Sequence, residues 1–203
     1  MSVRQERARI DEALAACGLD HARKVFTYTT PEELEGLFHI AEAQPRHAVV
    51  VEIGSYLGAS ACFLAAAIRP RGGRLYCIDT WNNDAMNVEG CRDTWAEFQQ
   101  NTAPIAELLT AIRKSTAELA QTDLPAQVDL AFIDADHSYE AVRADFERIA
   151  PHVRRTGMVA FHDVGSYRGV SQFFGELLAG CEWRLSGSVG TLAWIARVRD
   201  QLR

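Results

Sequence analysis

What this chain lacks narrows its role first. No apolar run approaches the about 20 residues that cross a bilayer; the longest, around Ala59 to Ile68, stops well short. No block of Lys or Arg is longer than the pair at 154–155, and the net charge is −6. Neither nucleic acid nor an anionic membrane is therefore expected as a partner. The five cysteines (Cys17, Cys62, Cys77, Cys91, Cys181) show no Cys-x-x-Cys pair and no zinc-ligand spacing. Cys62 and Cys77 stand in apolar runs and read as buried thiols. The first residues carry charge (Arg4, Glu6, Arg7, Arg9) in place of a secretory leader, so reduced thiols and a cytoplasmic location are the expectation. There is no internal repeat, no low-complexity stretch and no Gly-x-Gly-x-x-Gly.

What is present is ordinary globular material: 203 residues, 48% apolar and 24% charged, enough for one sizeable core. We read a single domain over 1–203, with an N-terminal helical cover at 1–45 and an α/β core at 46–203. Residues 3–17 have a helical stripe in Ile10, Leu14 and Ala15. A second helix at about 31–43 starts with Thr30 as cap, Pro31 at the first position and Glu33 completing a capping box. These two helices either cover a substrate or pack on the sheet, and an apolar face on them would also suit a homodimer. From 48 onward strands (near 48–53, 74–79, 107–112, 128–133, 156–162, 182–187, 190–197) alternate with helices (near 58–69, 91–101, 116–120, 138–150, 168–179). That alternation predicts a Rossmann-like, doubly wound, mostly parallel sheet of seven strands. The last two strands, joined by SerValGly, form an antiparallel hairpin.

The most informative stretch is Val49 to Ile68, a buried strand, a turn with Gly54 and Gly58, and an apolar helix. Open α/β sheets bind ligands where such strands end, and glycines let the backbone approach a ligand closely. Glu52 would repel the diphosphate of a dinucleotide but suits a ligand with an ammonium and a sulfonium. Asp79, ending the next strand, suits both hydroxyls of a ribose. Together they point to S-adenosylmethionine. An NAD-dependent oxidoreductase is disfavoured by the absent glycine motif and by the terminal hairpin.

GluIleGlySerTyrLeuGlyAlaSer at 52–60 resembles motif I of the class I S-adenosylmethionine-dependent methyltransferases, particularly the catechol O-methyltransferase group. PheIleAspAlaAspHisSerTyrGlu at 132–140 and PheHisAspVal at 161–164 are similar to its bacterial branch acting on sugars and secondary metabolites. The resemblance covers about 48–165. It implies an O-methyltransferase acting on a small-molecule hydroxyl of a secondary metabolite, sugar or phenol. It implies that Tyr56 and Ser60 meet the methionine carboxylate, and that Glu52, with Ser55 in the same turn, positions the cofactor. Asp79 would hold the ribose, with Thr80 and Trp81 near the adenine and Ser115 at its edge. Ser115 also reads as a helix cap, and Trp81 as core.

A second constellation follows the fourth and fifth strands: Asp134, Asp136 and His137, then His162 and Asp163. Asp134, also counted among the cofactor contacts, could join His162 and Asp163 in binding a divalent ion, Mg²⁺ or Mn²⁺. Relatives usually carry an acid or amide where His162 stands, which moves the expectation toward Mn²⁺, another transition metal or a metal-free centre. His137 is the first candidate for general base, because relatives carry a Lys or His there and imidazole titrates near neutral pH. His162 is the alternative. Asp136 reads as the cap of the helix near 138, and Asp145 and Glu147 as surface. The polar loop 81–95 reads as a closing segment, and Tyr167 and Arg168 as candidate acceptor contacts. An N-methyltransferase and a non-catalytic cofactor-binding protein are the competing readings.

Overall fold

The computed structural model describes residues 2–83 and 92–198. Its strands are β1 (Val49–Ile53), β2 (Arg74–Asp79), β3 (Leu109–Arg113), β4 (Val128–Ile133), β5 (Val153–Phe161), β6 (Trp183–Val189) and β7 (Leu192–Arg197). They form one sheet in the order β3-β2-β1-β4-β5-β7-β6. The first five strands pair in parallel, whereas β7 runs antiparallel to β5 and to β6. The expected seven-stranded α/β sheet with a terminal hairpin is therefore what the chain adopts.

The pattern of burial shows why. Every residue of β4 is buried. Leu130 and Phe132 point into one apolar cluster and Ala131 and Ile133 into another, so the strand's period of two feeds a core on each face of the sheet. Helix α3 (Ala59–Ile68) is buried at all of its residues, which places it inside a layer instead of on the surface. The helices α1 (Val3–Ala16) and α2 (Pro31–Glu42) close over it, and Ile10, Leu14, Leu34, Leu37 and Phe38 share its cluster. The other face is covered by α5 (Tyr139–Ile149) and α6 (Arg168–Ala179), where Phe146 and Phe173 meet edge to face at 5.4 Å. Of the described cysteines, Cys17, Cys62 and Cys77 are buried thiols and Cys181 is exposed. Among the described residues no helix is long and apolar enough to cross a membrane.

Several local expectations are corrected. Helix α4 spans Trp95–Thr102, not 91–101. The Asp93 carboxylate accepts from the Trp95 amide at 2.9 Å, and the amides of Arg92 and Thr94 bond to the carbonyls of Asn82 and Trp81, so the chain before Trp95 is spoken for. Most of the polar loop read as a closing segment lies outside the described residues. The helix expected at 116–120 is instead two short 3₁₀ turns, Thr116–Glu118 and Gln121–Asp123. In each, an acid folds back onto a backbone amide, Glu118 onto Ser115 and Asp123 onto Ala120. The fifth strand starts earlier than expected, because Val153 pairs with Val128 before a register shift. Asp145 is not surface: it is buried on α5 and accepts from the Thr116 hydroxyl, and burial pushes its carboxyl up to about 6.

The turn glycines answer to the protein itself. Gly54 has φ +86°, and a Cβ there would sit 2.0 Å from the Asp134 carbonyl oxygen; at Gly58, φ is +87° and a Cβ would come 2.8 Å from Thr102. The close approach they permit in this structure is to β4's end and to α4. Gly54→Ala therefore adds a steric clash to the about 1–3 kcal/mol of left-handed strain. Urea denaturation should show a loss at or above that range, and a loss under about 1 kcal/mol would contradict the packing described.

Candidate active site

Strand order reverses between β1, whose chain continues toward β2, and β4 on its other side. This is where an open sheet leaves a crevice beyond its strand ends. The ladder runs on there past the strands: Asp134 N donates to Ile53 O at 2.8 Å and His162 N to Ile133 O at 3.1 Å. Gly54, Asp134 and His162 therefore end three neighbouring strands side by side.

The turn after β1 is held by Asp79. Its Oδ2 accepts from the amides of Ser55 and Tyr56, each at 2.8 Å, and its Oδ1 from the amide of Trp81 at 2.7 Å. The Trp81 indole donates back to the Tyr56 carbonyl at 3.0 Å. Its ring has no exposed surface and packs 4.6 Å from both Trp95 and Phe98. Of the two readings of that ring, adenine contact or core, its burial on the α4 side is that of a core residue. Thr80 is partly exposed, and its carbonyl accepts from Arg113 at 3.1 Å. Ser115 spends its hydroxyl and amide on Glu118 at 2.7 and 2.9 Å, as a turn cap does. Ser60 is buried on the first turn of α3.

Glu52 is fully buried beneath this turn. Burial pushes its carboxyl up to about 7, and the Cys77 thiol donates to its Oε2 at 3.4 Å. Its Oε1 and the Oγ of Ser55 are buried atoms with no hydrogen-bond partner among the described residues. The hydroxyls of Ser55 and Ser60 nevertheless lie close enough to this carboxyl to hold it lower than burial alone would.

The second constellation converges as expected, with one addition. His162 is 5% exposed, and its Nδ1 lies 3.3 Å from Asp134 Oδ1 and 3.4 Å from Asp163 Oδ2. His137 Nε2 bonds Asp163 Oδ2 at 2.9 Å, and its ring stacks on Tyr167 at 4.1 Å. The addition is Glu33 of α2, buried, whose Oε2 lies 3.2 Å from His162 Nε2. Burial opposes charge on His162, but Asp134 and Asp163 outweigh it and raise the ring to about 11. Burial likewise opposes charge on Asp163, yet bonds from His137 and His162 hold its carboxyl well below the usual carboxylate range. The Asp163 hydrogen bond raises His137 against partial burial. Burial also disfavours charge on Glu33, but the amides and hydroxyls of Thr30 and Thr191 bring its carboxyl down to about 2. Asp136 does not cap α5: Ser138 does, accepting from the Ala141 amide at 3.3 Å, while Asp136 accepts from the Ser138 amide at 2.7 Å. Tyr167 is 48% exposed, and Arg168 opens α6 at the surface.

Residues 51–164, more than half of the chain, match the model of the family described as Methyltransferase domain. The chain belongs to that family. A curated relative, the uncharacterized protein y4gI of Sinorhizobium fredii (strain NBRC 101917 / NGR234), is 26% identical over 175 residues, 82% of this chain. The chain spans about a fifth of that protein's length (19%). Among solved structures the fold is similar to the O-methyltransferase TomG from Streptomyces achromogenes, involved in tomaymycin synthesis and solved with SAM: TM-score 0.65, 21% identity, 93% of this chain and 91% of that one. It is also similar to the O-methyltransferase NovP, with a TM-score of 0.72 at 13% identity, over 96% and 98% of the two chains. An O-methyltransferase from Bacillus cereus in complex with SAH gives a TM-score of 0.66 at 16% identity, over 94% and 91%. The fold is that of the class I methyltransferases.

Sequence reading missed Glu33. Its place in the Thr30 capping box explained it locally, and a capping acid ordinarily faces solvent. Only its burial, invisible in the local pattern, marks it.

The Glu52 environment makes a stability prediction. A carboxyl raised from about 4.5 to about 7 binds more protons folded than unfolded between those values. Its contribution is fully present below about pH 4.5 and is lost as pH rises through 7. Urea denaturation of the ligand-free protein at pH 5 and pH 7.5 should show Glu52→Gln losing less stability over that interval than the parent; equal losses would contradict the burial.

Proposed function

We propose that this chain is an S-adenosylmethionine-dependent O-methyltransferase of a small-molecule hydroxyl. The observation that carries it is the glycine turn at the switch point, clamped by Asp79 and backed by the buried carboxyl of Glu52. Acidic groups with spare acceptor capacity suit a cationic amino-acid ligand; a diphosphate would meet repulsion. Asp79 keeps one acceptor site beyond its three amides for a ribose hydroxyl. Tyr56 and Ser60 flank the same turn. The solved O-methyltransferases with SAM or SAH bound share this fold, which supports the choice of ligand.

Bound S-adenosylmethionine supplies a methyl group on a sulfonium, an excellent leaving group. The chain's own task is to orient the acceptor and take its proton. His137 suits the second role. Asp163 holds its Nε2, which leaves Nδ1 as the basic nitrogen when the ring is neutral, and Tyr167 fixes the ring plane. The transfer breaks the S–C bond, forms O–C, and moves the hydroxyl proton to His137. His162 is less suited as base, since carboxylates face both of its nitrogens.

The donor set of Asp134, His162 and Asp163 fits one divalent ion, with one ligand atom from each residue and all within 4.8 Å of one another. An imidazole among two carboxylates suits Mn²⁺ better than Mg²⁺, and such an ion would polarise the acceptor hydroxyl.

Calorimetry should show S-adenosylhomocysteine binding and no NADH binding. Asp79→Ala should weaken S-adenosylhomocysteine by at least tenfold, about 1.4 kcal/mol, since it removes both the clamp and the ribose partner. No binding by the parent would refute the reading. With an acceptor found by screening phenols and sugars for S-adenosylhomocysteine release, His137→Ala should cut turnover by about 10²–10⁴ with cofactor affinity retained. Undiminished turnover would reject its role. Treatment with EDTA should abolish activity, and Mn²⁺ should restore more of it than Mg²⁺; activity untouched by the chelator would favour a metal-free centre.

A further inference from the structure

The family match ends at residue 164 and begins at residue 51, yet the His162 ring is gripped from outside that span. Glu33 lies on α2 and Thr191 in the turn between β6 and β7, and both meet the ring's far side through one carboxylate. Glu33 Oε2 accepts from the Thr30 amide at 2.8 Å and the Thr30 hydroxyl at 2.7 Å, and stands 3.2 Å from His162 Nε2. Glu33 Oε1 accepts from the Thr191 amide at 2.6 Å and its hydroxyl at 2.8 Å. Four donors from Thr30 and Thr191 occupy the lone pairs of this buried carboxylate and leave it no freedom to turn, with His162 Nε2 as a further close neighbour. The capping role needs only the Thr30 contacts, and the Thr191 contacts serve packing. Neither requires a histidine.

We propose that Glu33 is the positioning residue of the reaction centre: it takes the Nε2–H of His162 and so turns Nδ1, and no other ring atom, toward Asp134 and Asp163. This deepens the reading of that cluster as the site of methyl transfer and rests on it. An imidazole ring can otherwise rotate by half a turn and exchange its nitrogen for a carbon at nearly the same place. An ionised acceptor on one side forbids that, because a flip would set a C–H against the carboxylate. Carboxylate–imidazole pairs of this kind fix the tautomer and orientation of ligating histidines, and losing the carboxylate commonly costs 10–100-fold in affinity or activity. The consequence for the fold is that α2 belongs to the centre. Both N-terminal helices pack on α3 through their apolar faces, and α2 also reaches the strand ends through Glu33 of its first turn.

The test needs no acceptor. Long-range ¹H–¹⁵N correlation of histidine rings in the metal-free chain should show a His162 Nε2–H resonance slow to exchange with water, assigned by its loss in His162→Gln. Glu33→Gln should shift that resonance and speed its exchange, because a neutral amide oxygen is a weaker acceptor than a carboxylate. Thr191→Val should keep it while lowering the melting temperature, which separates positioning from packing. A parent protein with its His162 proton on Nδ1 alone would overturn the proposal, as would a Glu33→Gln spectrum with the Nε2–H unchanged. The parent measurement decides even if Glu33→Gln does not fold. S-adenosylhomocysteine calorimetry on the parent reports separately on the methyltransferase reading, whose failure would leave the ring spectrum intact.

Discussion

Three backbone amides converge on Asp79, two from the turn after β1 and one from the chain leaving β2. A charge-assisted bond of this kind is roughly twice as strong as a neutral one, and here a single carboxylate shapes a turn whose residues otherwise resist it. Tyr56 and Trp81 both carry positive φ, 45° and 53°. For bulky side chains that conformation is costly and persists only where the surroundings enforce it. Asp79 enforces it at both, and the Trp81 indole returns a bond to the Tyr56 carbonyl. The turn is thereby shaped by the chain's own groups.

The second centre depends on a balance of buried charge. Glu33, Asp134 and Asp163 face His162 and, through Asp163, His137. Burying any one of these ions alone would cost several kcal/mol; together they supply one another's counter-charges. Asp163 itself sits at φ 62°, a strained backbone that aims its carboxylate between the two histidines. A network of this kind contributes little net stability, but breaking it by removing one partner is expensive. Its effect is to fix where each ring nitrogen points.

The legible parts of the sequence were those governed by local rules. The continuous apolar run of β4 marked a strand buried on both faces, SerValGly marked the hairpin, and Thr30-Pro31-x-Glu33 marked the start of α2. The carboxylates at the strand ends were legible because open sheets put ligands there. The failures share one cause. Local pattern leaves Trp81 open between core and cofactor contact, places Asp145 on the surface and gives Glu33 only a capping role, yet all three are buried. In each case the neighbour that decides the outcome is distant in sequence: Phe98 for Trp81, Thr116 for Asp145, His162 and Thr191 for Glu33. Periodicity within a helix or strand says which face a residue takes; it does not say what meets that face.

The amino-acid sequence by itself determined the α/β class, the seven strands and their terminal hairpin, the glycine turn, and the set of acids and histidines at the strand ends. Those features follow from hydrophobic period, turn chemistry and residue type, all of which act over a few residues. Tertiary structure alone decided that the turn glycines answer to Asp134 and Thr102, and that Asp79 clamps the turn. It also decided that an acid of the N-terminal helices completes the His162 site. These depend on which strand ends and helix termini the packing brings within hydrogen-bond reach, and that proximity is a property of the whole folded chain.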